Sequence, residues 1–380
     1  MNHSDIIIIG GGLIGACCAD ALTSRGLEVI LLERRFPASG SSRACDGLIL
    51  LWDKNPGAEM MLGKSSVKLW KELVPQLDAD IEFRKTGTVL VNEDQAGFES
   101  SQQLVGSVTA EGISATSLQS PELNELEPGL ANDLAGGAYF PDDYQVDPRK
   151  ATLAILRKAQ AQGLKLRNGE QVRDLKRTQA SEAGWQVVTQ RATYSADRLV
   201  CAAGVWSAAL MQMLDIDIPV RPRKGHILVI KSGHDALHHP VLEGGYEDTV
   251  HAGGDDLQTA LVAEVTTAGT MLIGSSRQFA GYDRSVSWDV LQALARRATR
   301  FIPVLAQAPL IRSYTGLRPW SPDHLPLIGP VNANEDLYLA TGHEGAGICL
   351  APVTGDLIAR WMVEGQAPEL SEAVVPSRFW

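Results

Sequence analysis

The sequence holds no cysteine pair. Its five cysteines, Cys17, Cys18, Cys45, Cys201 and Cys349, form no C-x-x-C motif and no spacing that suits a metal. No disulfide framework is implied, and the pattern fits a reducing compartment. Basic residues are outnumbered 34 to 45, for a formal net charge of −11. That balance argues against a nucleic-acid partner, which needs basic surface, and reads as a solubility feature. No apolar run is long enough to span a bilayer. The first strand is expected from residue 5, which leaves no room ahead of it for a signal peptide. The expectation is a cytoplasmic protein without a transmembrane segment; peripheral contact with the inner face of a membrane, or a quinone link, stays open. There is no internal repeat and no low-complexity tract. What remains is a chain of 380 residues, 44% hydrophobic and 21% charged, long enough for about two domains.

The informative stretch is Asp5-Ile6-Ile7-Ile8-Ile9-Gly10-Gly11-Gly12-Leu13-Ile14-Gly15. Four β-branched isoleucines suit a strand buried on both faces of a parallel sheet. Gly10, Gly12 and Gly15 then follow in G-x-G-x-x-G spacing. The first permits a tight turn, the second lets the backbone approach a pyrophosphate, and the third lets the next helix pack close. A helix from Leu13 to Arg25 would aim its free N–H groups at that pyrophosphate. Glu28 to Glu33 reads as a second strand. Glu33 stands eighteen residues after Gly15, near the place of an acid that binds ribose hydroxyls.

Downstream, residues 34–48 are polar, small and turn-prone. Ser41, Ser42 and neighbouring backbone N–H groups could reach a second phosphate or a flavin ring, or serve only as a solvated loop. Helices are expected over 58–73, 95–105, 121–128, 149–162, 208–214, 287–301 and 353–362. Strands are expected over 82–92, 136–140, 164–175, 185–189, 197–203, 220–230 and 259–274. Asp147 is a plausible N-cap with Pro148 at the first turn, and Ser287 caps its helix. The α/β pattern at both ends with a strand-rich middle predicts a nucleotide domain assembled from separate stretches and a second domain set between them.

Four stretches carry a family resemblance. They are Gly10 to Gly15 with Glu33-Arg34; Val200-Cys201-Ala202-Ala203-Gly204-Val205-Trp206-Ser207; Gly316-Leu317-Arg318-Pro319 with Pro322-Asp323 and Leu325 to Gly329; and Gly342-His343-Glu344 with Gly347 and Leu350 to Gly355. Over nearly its whole length the chain resembles the FAD-dependent D-amino-acid oxidase family, in its glycine oxidase and amino-acid dehydrogenase branch. Cys45-Asp46-Gly47-Leu48, Gly274 to Arg277 and His343 to Ile348 look most like the flavin β-subunits of heteromeric dehydrogenases acting on D-hydroxyproline or opines.

The resemblance implies an α/β fold. A Rossmann-like FAD-binding domain of the glutathione-reductase type would comprise 1–82, 147–214 and 312–380. An inserted α+β substrate domain on a mostly antiparallel sheet would comprise 83–146 and 215–311. The implied reaction is oxidation of the C–N bond of a D- or secondary amino acid, with hydride passing to the flavin and electrons leaving through a partner subunit. A stand-alone oxidase producing hydrogen peroxide and a non-catalytic flavin subunit are the alternatives. An iron–sulfur centre would have to lie on a partner chain, since this one has no cysteine set able to hold it. FMN at a subunit interface is known in some relatives. No cysteine occurs between Cys201 and Cys349, so FAD is expected to be non-covalent.

Arg318 falls where the family holds the substrate carboxylate, a task that suits a permanently charged bidentate donor. The other reading of Arg318 is a structural pair with Asp323. His343 is a candidate catalytic residue. Arg277, Tyr246, Trp52 and His251 are candidates for the substrate pocket. FAD would contact Gly10, Gly12, Leu13, Ile14, Gly15, Glu33, Arg34, Ser41, Ser42, Arg43, Ala44, Gly47, Leu48, Val172, Ala203, Gly204, Trp206 and Arg318. At the pyrimidine edge of the flavin the contacts would be Gly342, His343, Gly345, Ala346, Gly347 and Ile348, with a helix N-terminus starting near Gly347 stabilising developing negative charge. No metal is expected.

Overall fold

The computed structural model describes residues 3–178, 184–233, 236–246, 257–331, 336–365 and 368–380. Strand β1 (His3–Ile9) lies between two parallel neighbours, Val29–Glu33 (β2) and Thr193–Cys201. Its isoleucines alternate as a strand requires. Ile6 and Ile8 pack into the core under helix α1 (Leu13–Thr23), while Ile7 and Ile9 face the other core with Leu199 and Leu339. Lys165–Asn168 extends the parallel set beyond β2, and Leu337–Thr341 extends it beyond Thr193–Cys201. The antiparallel strands Val172–Arg177, Trp185–Thr189 and Leu327–Pro330 complete an eight-stranded sheet.

Close helix packing depends on small residues. A Cβ on Gly15 would fall 2.0 Å from the Gly10 carbonyl oxygen. A Cβ on Gly355, in the closing helix Ala351–Glu364, would fall 2.5 Å from the Cys17 carbonyl oxygen of α1. The backbone at Gly10 has φ +118 and lies against Ala202, so only glycine suits it.

The second sheet is also eight-stranded. Its order is Leu310–Trp320, Arg221–Lys231, Thr270–Arg277, Gln258–Val265, Val241–Glu243, Thr88–Asn92, Gly136–Phe140, Thr116–Gln119. Every neighbour pair in it is antiparallel except Val241–Glu243 with Thr88–Asn92. The helix Trp288–Phe301 covers one face with Val290, Leu291, Leu294, Ala298 and Phe301. A small sheet of Leu48–Ile49, Tyr144–Gln145 and Arg84–Lys85 lies beside them.

Several expected boundaries shift. The stretch 82–92 divides at Gly87, whose φ is +64, into two strands. The helix from Gln95 runs to Ala110, and the closing helix begins at Ala351 instead of near Gly347. Asp147 does cap its helix, accepting from the Arg149 and Lys150 N–H groups. Ser287 occupies the cap position but makes no side-chain cap bond; its N–H donates to His226 Nε2 at 3.1 Å. The expected domain boundary at residue 312 falls inside Leu310–Trp320. That strand pairs with Arg221–Lys231 from Leu310 to Trp320, so the chain rejoins the first sheet only at Leu327.

Two glycine substitutions read this packing directly. Gly355→Val is expected to cost on the order of 3 kcal/mol by overpacking the contact between the first and last helices. Gly106→Ala, on an exposed helical position with open space around it, is expected to stabilise by about 0.5–1 kcal/mol. Urea unfolding midpoints measure both.

Candidate active site

Four parallel strands end together. Ile9 pairs with Leu32 and with Cys201, and Cys201 pairs with Leu339. The segments leaving those ends, near Gly10, Glu33, Ala202 and Thr341, therefore open onto one edge, where an open α/β sheet binds its ligand. They line a single cleft. Gly10, Gly12, Leu13 and Ile14 form one wall. The first-turn N–H groups of α1 have no intrahelical partners, and one of them, Leu13 N–H, is bound by Ser42 Oγ at 3.0 Å. Glu33 is buried, and its carboxylate is held by the N–H groups of Gly11 at 2.9 Å and Arg35 at 2.8 Å. Val172, Leu210 and Met213 give an apolar patch, and Arg34 lies over the Trp206 ring at 3.6 Å. Ser41, Ala44, Ala203 and Gly204 line the same cleft, as do Gly345, Gly347 and Ile348.

Arg318 projects into the cleft from the second sheet. Its Nη1 donates to the Ser276 carbonyl oxygen at 2.9 Å and would lie 2.3 Å from a Cβ on Gly225. Asp323 does not pair with it; that carboxylate is held by Arg378 at 2.7 Å. Arg318 makes no ion pair with a carboxylate among the described residues. Burial lowers its pKa from the usual guanidinium value, and the charge of Arg277 adds to this. Tyr246 lines the cleft and Arg277 lies 4.6 Å over its ring, behind the wall.

His343 is on the wall, but it does not have the surroundings of a proton acceptor. Burial depresses its pKa to about 3. Its Nε2 lies 2.9 Å from Thr354 Oγ1, and that hydroxyl donates to the Leu350 carbonyl oxygen at 2.7 Å. With the hydroxyl proton so engaged, Nε2 must carry the hydrogen of a neutral ring.

Other expected contacts stand elsewhere. Trp52 is a core residue: it stacks on Phe140 at 4.9 Å and donates to Thr88 Oγ1 at 3.0 Å. An aromatic side chain that can fill a core does not reveal from sequence which side of a wall it takes. Gly15, Gly47, Leu48, Gly342 and Ala346 lie behind the cleft surface as packing or turn positions, and Arg43 points outward. His251 lies outside the described residues. Sequence reasoning missed Glu170, Gly225 and Glu344 on the wall. Glu344 forms a buried pair with Arg223 at 2.6 Å and meets His324 at 3.0 Å. Those partners are far apart along the chain, and no local pattern links them.

The residues fit a dinucleotide with a redox end. Glycines leave a cradle against free helix N–H groups, a carboxylate is aimed at the same cleft, and a guanidinium stands in its continuation. The family model named FAD dependent oxidoreductase, DAO, matches residues 5–361. The chain belongs to this family. Among DAO relatives, the hydrogen cyanide synthase subunit HcnC of Pseudomonas aeruginosa is 28% identical, over 100% of this chain and 97% of that protein. Glycine oxidase of Geobacillus kaustophilus is 28% identical over 94% of this chain and 93% of its own. Its crystal structure superposes with a TM-score of 0.89 at 25% identity, covering 100% of this chain and 99% of that one. L-proline dehydrogenase from P. horikoshii superposes with a TM-score of 0.87 at 25% identity, covering 100% and 98%. The protein is thus an FAD-dependent oxidoreductase acting on amino compounds. Among the described residues there is no helix able to cross a membrane and no cluster able to hold a metal ion.

Cys45 lines the cleft, while the other four cysteines are buried in the core. Burial, followed by the charge of Asp46, raises the Cys45 pKa well above the ordinary thiol value. A neutral thiol is a poor nucleophile. Acid precipitation is therefore expected to release all flavin into the supernatant, measured by absorbance; yellow protein that becomes colourless as Cys45→Ser would contradict this.

The buried histidine sets a second expectation. The folded state keeps His343 neutral down to about pH 3, whereas the unfolded chain takes a proton near pH 6.5. Between those values the unfolded state binds more protons, so this contribution to stability is lost as pH falls. The difference in unfolding midpoint between wild type and His343→Asn should shrink from pH 7.5 to pH 5, read by scanning calorimetry.

Proposed function

We propose that the chain oxidises the C–N bond of a D-configured or secondary amino acid, with D-hydroxyproline or an opine as the favoured substrate. The observation that carries this reading is Arg318: a guanidinium inside the cleft with no protein carboxylate paired to it among the described residues. Such a group binds and orients a substrate carboxylate through two parallel hydrogen bonds. Gly225 beneath it leaves the room the guanidinium occupies. When bound, FAD supplies the oxidant that accepts a hydride from the substrate α-carbon. The substrate nitrogen must be neutral at that point, and the neutral His343, bound to Thr354, does not act as the base. Holding the reacting carbon in place is then the main contribution of the protein. The product is an imine, which hydrolyses or stays cyclic when the substrate is a ring.

In this proposal electrons leave through a partner subunit that carries an iron–sulfur centre, with FMN at the subunit interface where one is used. The likeness to a cyanide synthase subunit and to a proline dehydrogenase supports that route. The likeness to glycine oxidase supports the second reading, a stand-alone oxidase releasing hydrogen peroxide. Comparing peroxide formation with dye reduction by the purified chain separates the two. A peroxide rate close to the dye-linked rate favours the oxidase.

Arg318→Ala is expected to lower kcat/KM by roughly 30- to 4,000-fold, the range for removing one partner of a buried charged pair at about 2–5 kcal/mol. The assay is dye-linked oxidation of D-hydroxyproline, D-proline, opines, sarcosine and glycine. Unchanged oxidation by the variant would remove the basis of the assignment.

A further inference from the structure

The wall beside Arg318 carries a second charged group. Asp46 stands half-buried in the cleft. Its segment is locked against the strand that bears Arg318. Ser41 Oγ donates to the Leu317 carbonyl oxygen at 2.6 Å, and the Ala44 carbonyl oxygen lies 2.5 Å from where a Cβ on Gly316 would be. On the other side of Asp46, the Gly47 N–H is held by Glu264 Oε2 at 2.8 Å. A Cβ on Gly47 would fall 1.9 Å from the Val146 carbonyl oxygen. The loop therefore fixes where the Asp46 carboxylate can reach. Asp46 and Arg318 thus enter the same cleft from two segments joined by these contacts.

The other acidic groups of the wall are already engaged. Glu33 accepts from the Gly11 and Arg35 N–H groups. Glu170 accepts from Thr189 and Tyr194. Glu344 is held by Arg223 and His324. Among the described residues, Asp46 alone of the four makes no hydrogen bond or ion pair. Arg318, too, meets no protein carboxylate. Two opposite charges face one cleft, neither neutralised by direct contact, and a partly desolvated charge calls for a ligand group of opposite sign. With Arg318 as its one unpaired charge the site would be cationic and would accept any small carboxylate. A bare carboxylate in the same cleft repels such anions and favours those that also bring a positive nitrogen.

We propose that Asp46 is the specificity-determining contact for the cationic nitrogen of the substrate. On entry, before the ammonium proton is lost to solvent ahead of oxidation, Arg318 and Asp46 read a zwitterion: one holds the carboxylate, the other the ammonium. The ligand class is free amino acids and their secondary amines. N-acylated amino acids and simple carboxylates, whose nitrogen is uncharged or absent, are selected against. This rests on the reading of the cleft as an amino-acid site given above.

The test uses the FAD-loaded protein, reduced with dithionite under anaerobic conditions so that no turnover occurs. Binding of D-proline and of pyrrole-2-carboxylate is measured by titration calorimetry. The two probes share ring size and carboxylate and differ in the charge on nitrogen. Wild type is expected to prefer D-proline. Asp46→Asn is expected to reduce that preference roughly tenfold or more, by weakening D-proline and leaving pyrrole-2-carboxylate equal or tighter. Asp46→Glu, which keeps the charge, should retain part of the preference. Flavin content and unfolding midpoint identify a variant that has failed to fold, in which case Asp46→Ser is compared instead. Equal preference in wild type and folded neutral variants overturns the Asp46 assignment alone. Wild type that binds neither probe overturns the amino-acid reading and this proposal with it.

Discussion

The parallel seating of the isoleucine strand between Val29–Glu33 and Thr193–Cys201 is the constraint on which the cleft depends. It aligns three strand ends with a fourth, Leu337–Thr341, that arrives from the far end of the chain. The glycine turn, Glu33, Ala203, Gly204 and Thr341 all leave from that edge into the cleft. The alignment is possible only because the turn after the first strand has no side chains. Gly10 rests on Ala202, and Gly15 rests on Gly10. Burial of the four isoleucines on two opposite faces then holds the edge in place.

The second sheet contributes by delivery. Leu310–Trp320 begins as a half-exposed edge strand and ends as part of the cleft wall. It pairs with Arg221–Lys231 along its length, so Arg318 is positioned by a ladder of backbone hydrogen bonds and not by a loop. Gly225, which pairs with Gly316 two residues before Arg318 in that ladder, leaves space for the guanidinium, and Ser276 fixes one of its nitrogens. A carboxylate-binding group built on a sheet in this way needs little reorganisation when substrate enters.

What the sequence disclosed follows from range. The glycine turn, Glu33, the α/β character of the ends and the strand-rich middle are local patterns, and the structure has them. So are the Asp147 cap and the helix Ala58–Leu73. Arg318 was legible through its surrounding motif. Apart from element ends such as the break at Gly87, the differences are matters of long-range contact. Trp52 and Arg277 are polar-tipped or charged residues whose place on either side of a wall is decided by partners such as Phe140 and Tyr246, distant in sequence. Glu344 and Arg223 form a buried pair with no periodicity to announce it. The strand containing residue 312 has the same composition whichever sheet it joins; only its pairing partner decides.

The seam between the two parts of the molecule is closed by backbone. Ser41 bonds Leu317, Ala44 abuts Gly316, and Gly47 is wedged between Val146 and Glu264. Contacts of this kind, close-fitting and made against backbone atoms, oppose hinge-like opening at the seam. The same interlocking governs how the molecule comes into being. The cleft is lined by residues from Ile9 to Ile348, so its floor is complete only when nearly the whole chain has been synthesised and the strand near residue 340 has slotted beside one laid down far earlier. Until then the first helix has its own end of the cleft but not the wall that bears Arg318. The cleft is in that sense a feature of the whole chain, and neither half carries its complete lining.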